Sequence, residues 1–119
     1  MAEIPLVTYT YPAKLERVVD GDTAVLIIDL GFNCSVTQPV RLKGYNAPEM
    51  YGPNANDAHF AKHELKCLLA GRKLIVKTTK AFSQSFARYL AEVYYIDDTG
   101  VYAVADDMIS KGFNVEQGK

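Results

Sequence analysis

The sequence predicts a mainly β domain of the α+β class: a five-stranded barrel of the OB type, with one long helix after the third strand and a short C-terminal helix. Three observations predict it. Five segments are rich in β-branched and aromatic residues or alternate apolar with polar side chains, as strands with buried faces do. A long segment between the third and fourth of them repeats apolar residues at spacings of three and four, which marks an amphipathic helix. Turn-forming Gly, Asp, Asn and Pro residues separate the segments, and the order β, β, β, α, β, β, α suits a small barrel better than the alternatives, a ferredoxin-like or mixed α+β sandwich.

Val7 to Val19 is rich in Thr, Tyr and Val and then alternates charged with apolar residues, so it reads as a strand with one buried face. Asp20-Gly21-Asp22 supplies turn chemistry. Thr23 to Leu30 is almost continuously apolar, as a strand covered by the rest of a barrel should be, and Leu30-Gly31-Phe32-Asn33 ends it. The third strand is expected over Val40 to Tyr45, where Arg41 and Lys43 leave on one face, toward solvent or a ligand. The proline of the following Asn46-Ala47-Pro48-Glu49 loop restricts Ala47 to extended geometry.

Gly52-Pro53 opens the long helix, whose buried stripe is Ala58, Ala61, Leu65, Leu68 and Leu69 and whose natural C-terminal cap is Gly71. Leu74 to Thr79 and Arg88 to Ile96 are the last two strands. Asp97-Asp98-Thr99-Gly100 is a turn, and a helix of about two turns from Val104 to Lys111 stops at Gly112.

A chain of 119 residues, 49% hydrophobic and 23% charged, suits one domain with one core. No stretch reaches the roughly 18 apolar residues of a membrane span, and the mixed first residues lack the apolar run of a signal peptide. Both point to a cytoplasmic or phage/virion-associated setting and to two free, partly buried thiols at Cys34 and Cys67. The net charge of −1 is low for a binder of polyanions, but it is unevenly distributed. Residues 62–88 carry seven cations against Glu64 alone, a net +6, which permits a basic face.

Hydrolysing a phosphodiester requires positioned water and stabilisation of a more highly charged transition state. Carboxylates that hold a hard cation and guanidiniums that grip phosphate are therefore the residue types to seek. Asp22 follows a tight turn, Arg41 projects from a strand, Asn46 and Glu49 share a stiffened loop, and Arg88 begins another strand. Alone, each has an ordinary reading as a turn former or a surface or salt-bridged charge.

Together, Val18-Val19-Asp20-Gly21-Asp22-Thr23, Arg41-Leu42-Lys43-Gly44-Tyr45-Asn46-Ala47-Pro48-Glu49, Tyr51-Gly52-Pro53, Arg88 to Tyr94, and Met108 to Gly112 resemble the staphylococcal-nuclease-like family in order and spacing. The resemblance spans roughly residues 13 to 113. It implies an OB-type barrel and a calcium-dependent nuclease acting on single-stranded or frayed DNA and on RNA, as a monomer. It also implies roles: Asp22, with Asn46 and Ala47, at a Ca2+ site; Glu49 activating water; Arg41 and Arg88 holding the scissile phosphate, with Phe86 as a further substrate contact.

The chain departs from the family pattern in three places. Asn46 stands where an aspartate ligand is usual, which lowers the charge of the cage and predicts weaker calcium binding. Ser85-Phe86-Ala87 replaces Lys-Tyr-Gly, predicting weaker grip on a neighbouring phosphate. No counterpart of the family's last helix follows the second helix. A non-enzymatic module of the same fold that binds nucleic acid or protein is thus the competing reading, and an unrelated single-strand-binding barrel is a third. His59 and His63, four apart on the helix, read as a solvated pair, and Tyr94 and Tyr95 as core or interface fillers.

Overall fold

In the computed structural model, which describes residues 2–48, 55–78 and 89–114, six strands form a single sheet that closes on itself. The strands are β1 (Thr10–Asp20), β2 (Thr23–Gly31), β3 (Cys34–Leu42), β4 (Lys73–Thr78), β5 (Tyr89–Asp97) and β6 (Gly100–Ala103). Their order is β3-β2-β1-β4-β5-β6, and a parallel β3–β5 pairing joins the ends, so β1 to β5 make the expected five-stranded closed barrel. Helix α1 (Ala55–Leu69) lies between β3 and β4 in the chain, and α2 (Val104–Ser110) follows β6. The sandwich alternatives are thereby excluded.

β1 is the strand that makes closure possible. Its first half pairs with β4 and its second half with β2, and its register slips between Leu15 and Arg17 and again between Val18 and Asp20. Such slips add local twist and bend a strand, which lets one strand serve two neighbours around a tight barrel. The core inside is apolar: Leu26, Leu42, Leu74, Val76 and Val93 from the strands meet Ala61, Leu65 and Leu69 of α1 and Met108 of α2. Leu65 and Leu69 are almost completely buried, while Leu68 is only half-buried at the edge of the predicted stripe.

Three boundaries differ clearly from those the sequence predicts, each for a local reason. β1 begins at Thr10, because the exposed residues 2–9 precede its pairing with β4. β3 begins at Cys34, well before Val40, because Phe32 and Asn33 adopt positive φ (55° and 62°) in a tight turn that folds the chain back at once onto β2. Cys34–Gln38 then lie on the exposed arm of a hairpin, so their polar side chains gave no strand signal. β3 stops at Leu42, since Lys43 and Gly44 form a turn with Gly44 at φ 85°.

β6 has no counterpart in the sequence reading. Asp97 Oδ1 accepts the N–H groups of Thr99 (2.8 Å) and Gly100 (3.2 Å), and this turn hands the chain back against β5 for four residues. Gly71 (φ 72°) and Gly112 (φ 88°) follow the helix ends as expected, each in a conformation that favours glycine. The predicted start of the long helix at Gly52-Pro53 lies outside the described residues. Both thiols are free as expected, but Cys34 and Cys67 are exposed rather than partly buried. No helix is long and apolar enough to cross a membrane among the described residues.

Candidate functional site

The β1–β2 turn, the end of β3 and the loop after it meet at one end of the barrel, around a single carboxylate. Asp20 builds the turn: its Oδ1 accepts the Asp22 N–H at 3.1 Å, the local bond that makes Asp a turn residue. The Asp22 carbonyl then accepts the Leu42 N–H at 2.9 Å, which ties the turn to the end of β3. Asp20 thus keeps its structural role, and Asp22 is left pointing inward, with only 8% of its surface exposed.

Three donors address the Asp22 carboxylate. Thr23, fully buried, donates its hydroxyl to Oδ1 at 3.2 Å, and the Ala47 N–H donates to Oδ2 at 3.1 Å. The Arg41 guanidinium lies 3.7 Å from the same Oδ2, and its Nη2 also donates to Asn46 Oδ1 at 2.7 Å. The register explains the last contact, because Arg41 pairs directly with Thr23, next to Asp22. The ion pair of Arg41 among the described residues is thus with Asp22.

Burial pushes the Asp22 carboxyl up from its ordinary 3.8 to about 6, and the neighbouring Asp20 carboxyl adds to the shift. The Ala47 N–H and the Arg41 guanidinium pull it back without cancelling it. The site therefore holds a carboxylate that is under-solvated for its charge and would gain from a cation. Tyr45, the residue before Asn46, is 2% exposed, and its hydroxyl has no hydrogen-bond partner among the described residues. Burial, then Asp22 and Asp20, push its phenol above the ordinary tyrosine range.

Of the predicted site residues, the structure brings Asp22, Arg41, Asn46 and Ala47 together. Glu49, Phe86 and Arg88 lie outside the described residues. A cation at Asp22 would find Asn46 Oδ1 close by but engaged with Arg41. No group of three or more His, Cys, Asp or Glu side chains placed to hold a metal occurs among the described residues. Among the described residues the donor set that fits a hard cation is therefore lean: the Asp22 carboxylate and the Asn46 amide oxygen, with main-chain oxygens to add.

Three supports escaped the sequence reading. Gly21 sits where a Cβ would meet Ala47 Cβ at 2.7 Å and Ala61 Cβ at 2.8 Å, so turn, loop and helix touch only because this residue lacks a side chain. Thr23 hides the carboxylate's second oxygen. Asn114 Oδ1 accepts the Asn46 N–H at 3.0 Å across 68 residues of sequence, holding the loop from beyond α2. The glycine between two aspartates was a usable signal; nothing local marked Asn114. His59 and His63 are exposed, as expected of a solvated pair. Tyr95 is structural as expected, buried with Arg72 4.5 Å over its ring and Tyr102 stacked at 5.3 Å.

No family model and no curated protein matches this chain.

Proposed function

We propose that the protein is a divalent-cation-dependent nuclease that hydrolyses phosphodiester bonds of DNA or RNA at the Asp22–Arg41–Asn46 end of the barrel. The observation that carries the reading is the convergence on one small volume of a desolvated carboxylate and a guanidinium, Asp22 Oδ2 and Arg41 Nη2 standing 3.7 Å apart. In the absence of ligand the two partly neutralise each other. Both charge types are those a phosphate and its counter-cation require.

Arg41 would exchange its bond to Asn46 for a phosphate oxygen, its planar fork staying ionised throughout. Asp22, with the Asn46 side-chain oxygen and the Ala47 main-chain oxygen, would hold the cation. Calcium, the first choice by the resemblance, would there neutralise charge on the diester. Glu49 would accept the proton of the attacking water; it follows Ala47 by two residues in the sequence. Arg88 would add a second guanidinium.

One observation favours the other reading, a binding module of the same fold without activity. Asn46 supplies no charge, and its oxygen is occupied by Arg41 at 2.7 Å. A single assay separates the two. Labelled single-stranded DNA is incubated with the protein under EDTA, calcium, magnesium or manganese, beside Glu49→Gln and Arg88→Ala. Cation-dependent cleavage lost in both variants supports the nuclease; binding that both variants retain, with no cleavage under any cation, supports the module. Asn46→Asp is expected to tighten calcium binding, and unchanged calorimetric affinity would count against Asn46 as a ligand.

A further inference from the structure

The face of α1 that looks across to β1 carries charge that the candidate site does not use. Lys62 and Lys66 line a surface groove with Leu15, Arg17 and Val18 of β1, and neither lysine has an ion pair among the described residues. The acid in this groove, Glu16, reaches Arg17 only at 4.0 Å between exposed side chains, a contact too weak to neutralise it. His59 and His63 line the same groove and also the adjoining hollow beside Phe60, whose ring is 64% exposed. Cations interleaved with exposed rings along one groove are the ingredients of a single-strand-binding surface, where Lys and Arg track phosphates and flat side chains stack on unpaired bases.

The groove also leads to the candidate site. Val18 lies in its wall, and Gly21, three residues on, abuts Ala61 of the same helix. Val18 pairs with Ala24 across the same turn that carries Asp22. From His59 to Lys66 the helix rises about 10 Å, the length of about three nucleotides at 3.4 Å each.

We infer that this α1–β1 groove is an accessory site for single-stranded nucleic acid, with Arg17, Lys62 and Lys66 on successive phosphates and Phe60 stacking on a base. The inference takes its ligand class from the proposed function but not its chemistry, so the two can fail separately. The test is fluorescence anisotropy of a labelled oligothymidylate in EDTA over a series of KCl concentrations, with wild type, Lys62→Gln/Lys66→Gln and Phe60→Ala, each checked for helix content by circular dichroism. The lysine variant is expected to lower the salt slope by about 1.4, two phosphates at about 0.7 each. Phe60→Ala is expected to weaken binding about tenfold with the slope unchanged. Wild-type affinity in either variant overturns the accessory site, whether or not the protein cleaves. Equal binding of polyglutamate, weakened by the lysine change and untouched by Phe60→Ala, overturns the nucleic-acid assignment. Binding that follows both expectations in a protein inactive with every cation keeps the groove and removes the nuclease reading.

Discussion

Replacing Asp22 by asparagine should make the ligand-free protein more stable at neutral pH. The carboxyl is held at about 6 against an ordinary 3.8, chiefly because the fold strips it of water. That gap corresponds to about 3 kcal/mol by which the folded state disfavours the ionised form, since each tenfold change is about 1.4 kcal/mol. The figure already includes the favourable Ala47 N–H and Arg41 contacts. Some water still reaches the carboxylate, and asparagine must place its own NH2 group, so a net gain of about 1–2 kcal/mol is expected. The sign follows from proton linkage. The folded state binds this proton more tightly than the unfolded chain, so the Asp22 contribution is most favourable below about 4, is lost progressively as pH rises, and is fully lost above about 6. Urea unfolding of wild type and Asp22→Asn across that window measures both effects. The two should converge at the acid end and diverge toward neutrality, with unchanged m-values. An asparagine variant that is less stable at neutral pH, or a difference that does not vary with pH, would falsify the claim that this carboxylate is held at the expense of the fold.

Further outcomes follow from the same geometry. Gly21→Ala should cost about 1–3 kcal/mol by overpacking against Ala47 and Ala61, and a shift of the urea midpoint worth less than about 0.5 kcal/mol would mean that the loop gives way freely. Tyr45→Phe removes a buried hydroxyl that has no partner among the described residues and should be neutral or stabilising by up to about 2 kcal/mol; a clear loss in thermal unfolding would show that the hydroxyl is satisfied in solution. Calcium affinity measured by calorimetry should fall by up to about tenfold per pH unit once the pH drops below the Asp22 value near 6. A flat profile through that range would remove Asp22 from the cation site.

Much of the architecture was legible because barrel strands and the long helix carry different hydrophobic periods. The nearly unbroken apolar run from Thr23 and the stripe Ala58, Ala61, Leu65 and Leu69 identified their elements directly. Elements whose stability comes from pairing rather than burial were missed. Cys34–Gln38 and β6 are held by backbone bonds to β2 and β5, and Cys34–Thr37 are exposed. Of the site, residue types and turn positions were readable, and Asp22, Arg41, Asn46 and Ala47 do meet.

What the sequence by itself determined is the kind of chain this is: a small barrel former with one long helix, and a set of acids, amides and guanidiniums placed at its turns. Periodicity and turn chemistry act over a few neighbouring residues, so they can be read from neighbours. The partnerships were decided only in three dimensions. The β2–β3 register brings Arg41 level with the β1–β2 turn, Gly21 lets loop and helix touch, and Asn114 reaches back across the fold to Asn46. Burial of one carboxylate, and with it a value near 6, arises from that meeting of distant segments, because the loss of solvent around Asp22 is a property of everything packed over it.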